Sequence, residues 1–307
     1  MVNLPIKLEI PEEFYKEEER CDYVVSTEMK KIWAVELDLL AEFDRVCKEN
    51  NLKYYADGGT MLGAIRHKGF IPWDDDIDVI MFREDYNRLC EIAEKAFKEP
   101  YFLQTEYSDP GSFRGHAQLR NSKTTAILRH EEEFKFSFNQ GIFIDIFPLD
   151  EIPDEEGERA LFLQQISAKR EQVKKAVRYG ARYNQDKNKI KRMIKTFMHL
   201  FNGITKEIQR FSEFEKLESS YNNNTHKCVA KLFFPEVTKN FIWERKWFTE
   251  IEYCDFEMIK IPVSTQYDSI MTQFFGDWRT PIRQETTHNG ILFDSEKSYL
   301  NYTTGGK

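Results

Sequence analysis

Two short segments combine glycine and carboxylate at a spacing suited to phosphate chemistry: Asp57-Gly58-Gly59-Thr60, then Asp74-Asp75-Asp76-Ile77-Asp78-Val79-Ile80-Met81. Side chains on a strand alternate between faces, so a strand over Asp76–Phe82 sends Asp76 and Asp78 to one face and Ile77, Val79 and Met81 to the other. Two carboxylates held together repel, and one must take up a proton unless a cation stands between them. Mg²⁺ is the expected ion, with Mn²⁺ as its substitute, because it binds one or two carboxylates and keeps other positions for water and phosphate oxygens. Gly58 and Gly59 supply the second half. Without Cβ the backbone N–H groups approach an anion closely, and Thr60 is suited to open a short helix whose exposed N–H groups face phosphate. An acidic run alone reads equally as a solvated loop; its pairing with the glycines points to a site.

A third carboxylate lies in Gly141-Ile142-Phe143-Ile144-Asp145-Ile146-Phe147-Pro148, an apolar run that reads as a buried strand with Asp145 as its single charge. Burying that charge alone is costly, which leaves a metal shared with Asp76 and Asp78, or a salt bridge to an arginine. Arg66, His67 and Lys68 stand just before the acidic run, where a cation can grip the second phosphate of a diphosphate. Arg66 is the preferred clamp and serves equally as a counterion to Asp74 or Asp75. Arg120 is placed to reach phosphate or to lie at the surface. His288 is a candidate for proton transfer or phosphate binding, against the ordinary structural role of a lone histidine.

The string from Gly58 to Val79 is similar to the signature of the LicD family of phosphorylcholine transferases, to which the fukutin-related ribitol-phosphate transferases are distantly akin. The Gly-Gly-Thr, the Asp-x-Asp and the lone Asp also match the nucleotidyltransferase superfold pattern. Weaker landmarks follow at Gly141–Pro153 and at Tyr267-Asp268, Phe275-Gly276-Asp277-Trp278, Pro281 and His288. No cysteine and histidine cluster of zinc-finger spacing is present, so no structural zinc is carried over. The resemblance implies a CDP-alcohol donor, CDP-choline first, and a divalent ion held by Asp76, Asp78 and Asp145. Phosphocholine would pass to a sugar hydroxyl of a cell-surface glycan, lipid-linked sugar or teichoic acid precursor, releasing CMP. Trp73, Phe70 and Trp278 are then candidates for an aromatic wall against a quaternary ammonium. Three alternatives stay open: another donor such as CDP-ribitol or CDP-glycerol, nucleotidyl transfer from an NTP, and a non-catalytic module binding a metal-bound nucleotide.

Composition narrows the class. With 307 residues, 41% of them hydrophobic and including 25 Phe and 14 Tyr, the chain can build a sizeable core. A net charge of −8 argues against nucleic acid as the main partner. The five cysteines are odd in number and scattered, which disfavours a disulfide framework and suits a reducing cytoplasm. Met1–Arg20 has no apolar core of signal-peptide length and no run approaches a membrane span, so a cytoplasmic enzyme is expected.

The elements that must position these residues follow from periodicity. Met29, Ile32, Trp33, Leu37, Leu40, Phe43 and Val46 recur at helical spacing after a possible N-cap at Ser26, predicting an amphipathic helix to Asn50. Strands are expected at Leu52–Ala56 and Asp76–Phe82, and helices at Thr60–Arg66 and Glu84–Phe97. Short strands fill 101–147, separated by turns at Ser108-Asp109-Pro110-Gly111 and Asn121-Ser122-Lys123. The fold class is α+β, a nucleotidyltransferase-like mixed sheet flanked by helices. Four parts are expected: an extension at 1–25, a catalytic core at 26–156, a basic helical insertion at 157–221, and a part at 222–307 that completes the substrate site. Between Lys169 and Lys195 eleven lysines and arginines face only Glu171 and Asp186. That segment reads as a face for anionic membrane or polymer, or as a solvated helix.

Overall fold

The computed structural model describes residues 3–129, 131, 136–180, 188–191, 193, 194, 197, 204–233, 239–283 and 290–303. In chain order the strands are β1 (Glu18–Arg20), β2 (Tyr23–Val25), β3 (Tyr55–Ala56), β4 (Asp78–Phe82), β5 (Tyr101–Gln104), β6 (Ala117–Asn121), β7 (Thr125–Leu128), β8 (Ile142–Ile152), β9 (Cys228–Ala230), β10 (Ile242–Glu244), β11 (Ile251–Phe256), β12 (Ile259–Ser264) and β13 (Ile291–Asp294). The helices used below are α1 (Thr27–Glu49), α2 (Gly58–Arg66), α3 (Arg83–Ala96), α4 (Glu156–Gly180), α5 (Ile204–Glu218) and α6 (Tyr267–Phe275). Among the described residues no helix is long and apolar enough to cross a membrane.

The chain forms two compact units, one of Met1–Leu103, Ala117–Pro148 and Trp247–Lys307, the other of Gln104–His116 and Leu149–Lys246. It passes from the first to the second within β8. The first unit is the mixed sheet flanked by helices that the sequence leads one to expect. Here β3 pairs antiparallel with β4, β4 neighbours β8, and β6 pairs antiparallel with β8 so that Gln118 stands opposite Asp145.

Helix α1 starts where the sequence places it, with the Ser26 hydroxyl accepting from Met29 N at 3.2 Å. It is not simply amphipathic, because every residue from Ile32 to Leu40 is buried, Glu36 and Asp38 included. Asp38 is satisfied by the N–H groups of Lys7 and Leu8, each at 2.8 Å, and by the Tyr101 hydroxyl at 2.9 Å. Through those bonds the N-terminal segment is built onto the helix. Strand β3 keeps only two of the five expected residues, its ladder with β4 being limited to Tyr55↔Ile80 and Ala56↔Val79, and β4 begins at Asp78 rather than Asp76. Strand β4 buries both faces, Ile80 as well as Val79 and Met81.

In the second unit the end of β8 pairs antiparallel with β9, and β9 with β10. Helices α4 and α5 pack over Ile152, Phe162, Ile166, Val173, Phe211, Phe214, Ala230 and Leu232. Strand β8 is longer than the apolar run, since it continues past Pro148 to Ile152 and buries Asp150 and Glu151. Asn222 donates to Asp150 Oδ1 and accepts from Glu151 N, both at 2.6 Å.

Candidate active site

Helix α2 begins at the glycines themselves. Gly58 sits at φ +47°, a left-handed conformation open to glycine without strain. A Cβ on Gly59 would stand 2.6 Å from Asp74 Oδ2, so glycine here makes room for a carboxylate rather than only for a phosphate. Two hydrogen bonds then tie the glycine segment to the acidic strand: Asp57 N donates to the Asp78 carbonyl at 3.0 Å, and Asp78 N donates to Thr60 Oγ1 at 2.8 Å. Thr60, read from sequence as a helix opener facing phosphate, is a strut between the two halves of the motif.

The acidic run is held from above and below. Trp33 Nε1 on α1 donates to the Asp74 carbonyl at 3.0 Å, and Asp145 N on β8 donates to the Ile77 carbonyl at 2.9 Å. Along the run Asp74, Asp76 and Asp78 are half-buried while Asp75, Ile77 and Val79 are buried, the alternation expected of extended chain. Asp74, Asp75 and Asp76 each bring a carboxylate oxygen within 4.8 Å of the others. Asp76 is therefore grouped with the two residues the sequence reading treated as counterions. Asp78 and Asp145 lie outside that trio.

Asp145 is positioned by a relay. Gln118 Nε2 donates to its Oδ1 at 2.6 Å, and Arg120 in turn donates to Gln118 Oε1 and, at 2.7 Å, to the Gly141 carbonyl. Arg120 is 1% exposed, with its guanidinium 4.6 Å over the Phe143 ring. It is neither at the surface nor free to swing toward a substrate, and its role here is to orient the Gln118 amide.

Glu36 is the residue that sequence reasoning missed. It is 1% exposed, and its Oε2 has no hydrogen-bond partner among the described residues. Burial raises its pKa well above the ordinary carboxylate range, and the charges on Asp76, Asp75, Asp74 and Asp145 raise it further. Five carboxylates thus act on one another: Glu36, Asp74, Asp75, Asp76 and Asp145. Oxygen donors gathered in this way are the kind of set that hard divalent cations take.

Arg66 Nη1 donates to the Trp278 carbonyl at 2.7 Å and its Nε to His67 Nε2 at 3.0 Å, so the structure brings together three of the candidate substrate residues. Burial, then the charges of Arg66 and Arg20, push His67 down to about 4, leaving a neutral ring near pH 7. Trp278 is 7% exposed, donates from Nε1 to Asp268 Oδ1 at 3.2 Å and has the Arg279 guanidinium 4.4 Å over its ring, so it has little surface left for a ligand. Phe70 stacks on Trp33 at 4.5 Å and belongs to the core. Trp73 is half-buried and meets Tyr23 edge to face at 6.2 Å, and the Arg283 guanidinium lies 4.8 Å over Tyr23. His288 lies outside the described residues.

The loop between α2 and the acidic run is pinned by Glu257, in the turn between β11 and β12. Its carboxylate accepts from Phe70 N at 3.1 Å and from both terminal nitrogens of Arg20, while its own N–H donates to the Lys68 carbonyl at 2.8 Å. Neither Arg20 nor Glu257 stands out in the sequence, because one lies in the N-terminal extension and the other in a distant hairpin.

With this geometry in place the comparisons are decisive for the domain. Residues 51–175 match the family model described as LicD/FKTN/FKRP, nucleotidyltransferase domain. Residues 51–175 thus form a LicD-family nucleotidyltransferase domain within the chain. It is similar to the lipopolysaccharide cholinephosphotransferase LicD of Haemophilus influenzae, 26% identical over 255 residues, covering 79% of this chain and 88% of that protein. It is 31% identical over 110 residues to an uncharacterized Rickettsia prowazekii protein, covering 36% of this chain and 39% of the other. Over 46 residues it is 41% identical to the human ribitol 5-phosphate transferase FKRP, which is 15% of this chain and 9% of that protein. The homology to LicD identifies the chain as a phosphotransferase. The LicD-family match includes the glycines, the acidic run and Asp145, whereas Glu36 precedes it and Glu257 follows it.

Proposed function

We propose that this phosphotransferase moves a phospho-alcohol, phosphocholine from CDP-choline in the first place, onto a sugar hydroxyl of a glycan precursor and releases CMP. The observation that carries the reading is the grouping of Asp74, Asp75 and Asp76, whose carboxylate oxygens lie within 4.8 Å of one another, beside the buried Glu36 on which they and Asp145 act. An anionic diphosphate cannot approach such a cluster unless positive charge accompanies it. Asp74, Asp75 and Asp76 would hold that charge as Mg²⁺ or Mn²⁺, with Asp78 and Asp145 beside them. When bound, the ion would neutralise the diphosphate and favour the ionised form of an acceptor hydroxyl.

The chain's own residues supply position. The Thr60 strut fixes the distance from α2 to the acidic run, the Arg120–Gln118 relay fixes Asp145, and Glu257 fixes the approach loop. Phospho-group transfer depends chiefly on such positioning and on charge stabilisation. Choline as the alcohol is supported by the similarity to the Haemophilus cholinephosphotransferase and by the Trp73–Tyr23 corner, where Arg283 already places a cation against an aromatic face. CDP-ribitol is the second reading, favoured by the similarity to FKRP.

Thermal unfolding of the protein with CDP-choline, CDP-ribitol, CDP-glycerol and CTP, each with and without Mg²⁺, tests this. A ligand at a hundred times its Kd adds about 2.7 kcal/mol, enough to raise Tm by several degrees. Stabilisation by CDP-choline that requires Mg²⁺ is the expected result. A larger shift with CDP-ribitol moves the alcohol, and a larger shift with CTP replaces the reading by nucleotidyl transfer.

A further inference from the structure

The basic segment of the second unit divides into two parts with different surroundings. In α4 the positive charge is largely answered within the unit: Lys169 pairs with Glu213 at 2.6 Å, Lys174 with Glu171 at 3.3 Å, and Arg170 is 3% exposed with Nη1 donating to the Phe233 carbonyl at 3.2 Å. Further along, residues 189–191, 193, 194 and 197 are helical, and Lys189 and Lys191 are exposed. There Ile190, Met193, Ile194 and Phe197 are 66, 67, 51 and 62% exposed. Their spacing of three, one and three places all four on one side of a helix. The sequence repeats that spacing at Met198 and Phe201, and between 187 and 206 it has Lys187, Lys189, Lys191, Arg192, Lys195 and Lys206 with no acidic residue.

We propose that the helical face bearing Ile190, Met193, Ile194 and Phe197 rests on an anionic lipid surface, these side chains in the acyl boundary and Lys189 and Lys191 at the headgroups. An apolar stripe bordered by cations on a helix of low overall hydrophobicity is the pattern of helices that lie in a membrane plane. A second copy of the chain would bring the same cations together, and a nucleic acid would leave the four apolar side chains in water. An anionic bilayer answers both features at once. The inference stands whatever the donor is, and it would bring the chain to a surface that carries lipid-linked sugars.

Flotation of the full chain with vesicles of phosphatidylcholine alone, and with added phosphatidylglycerol, is the direct test. The expected result is binding to the anionic vesicles that weakens as salt rises. Lys189→Glu combined with Lys191→Glu should weaken it roughly twenty-five-fold or more, at about fivefold per lysine, and Ile190→Ser combined with Phe197→Ser by at least about tenfold. These side chains are exposed, so both variants should keep the parent's Tm. As a measurement free of any folding loss, Phe197→Trp should show a blue-shifted emission with anionic vesicles. No binding to anionic vesicles, or equal binding to neutral ones, overturns the proposal. So does a concentration-dependent dimer that the Ile190→Ser, Phe197→Ser variant abolishes, which would put a second copy on the stripe.

Discussion

Glu36 and Glu106 are buried glutamates in different units, and they solve the same problem in opposite ways. Glu106, in the second unit, is 6% exposed and accepts from the backbone N–H groups of Arg114, at 2.9 Å, and Gly115. Burial raises its pKa to about 7, while the backbone donors and His116 hold it down from a higher value. Glu36, in the first unit, has an orphaned oxygen, and the charges of Asp76, Asp75, Asp74 and Asp145 add to burial in raising its pKa. The difference separates a carboxyl that backbone donors reach from one set among like charges, which must take up a proton or be met by a cation.

The largest effect that can break this contrast is on catalysis. Asp76→Asn should lower turnover by on the order of a thousandfold, since Asp76 belongs to the oxygen trio and is the strongest charge on Glu36. Asp78→Asn should also fold nearly normally and lose most activity, because the bond to Thr60 uses the Asp78 backbone N–H and survives the change. Full turnover in both variants would sink the assignment of the acidic run as the reacting site.

A smaller effect is expected at Glu36. Glu36→Gln removes a carboxyl that a bound cation could ionise, without changing the shape of the cluster, and it should weaken Mn²⁺ binding, read by electron paramagnetic resonance, by about ten- to a hundredfold. The sign on stability is opposite. A carboxyl whose folded pKa is raised stabilises below its unfolded pKa and loses that contribution as pH rises. The metal-free variant should therefore melt above the parent near neutral pH and respond less to Mg²⁺. A variant that binds Mn²⁺ like the parent and melts lower would place Glu36 with Glu106, as a group the fold already satisfies.

How much of this was legible beforehand follows from the kind of contact involved. The cap at Ser26, the glycine helix, the acidic run and Asp145 are local or carry patterns of period 2 and 3.6, and the elements fall within a few residues of where those patterns place them. Glu36 was not legible, because α1 is buried all round from Ile32 to Leu40 and a one-sided wheel assigns a charged residue to solvent. Arg120 was misplaced for a related reason: its partners, Gln118 and the Gly141 carbonyl, are brought to it by the β6–β8 register. Glu257 lies 187 residues from the Phe70 N–H it accepts from, and nothing in either segment announces the other.

The smallest effect sharpens the other side of the contrast. Glu106→Gln keeps an acceptor for the Arg114 and Gly115 N–H groups but cannot ionise. In the parent the folded pKa of about 7 exceeds the ordinary value of 4.5, so the folded form holds its proton where the unfolded chain has lost it, and stability falls between those two pH values. At 1.36 kcal/mol per unit the loss is at most roughly 3 kcal/mol. His67 works in the reverse direction, since its folded pKa of about 4 lies below 6.5 and stability grows as pH rises through that window. A single melting curve against pH would therefore mix the two, whereas the difference between parent and Glu106→Gln cancels the histidine. That difference should be near zero at about pH 4.5 and reach several degrees in favour of the variant above pH 7. If it is flat, Glu106 has the same pKa folded and unfolded, its backbone donors offsetting burial in full. The two glutamates would then differ even more sharply, one fully compensated within the chain and the other held protonated by burial and like charges.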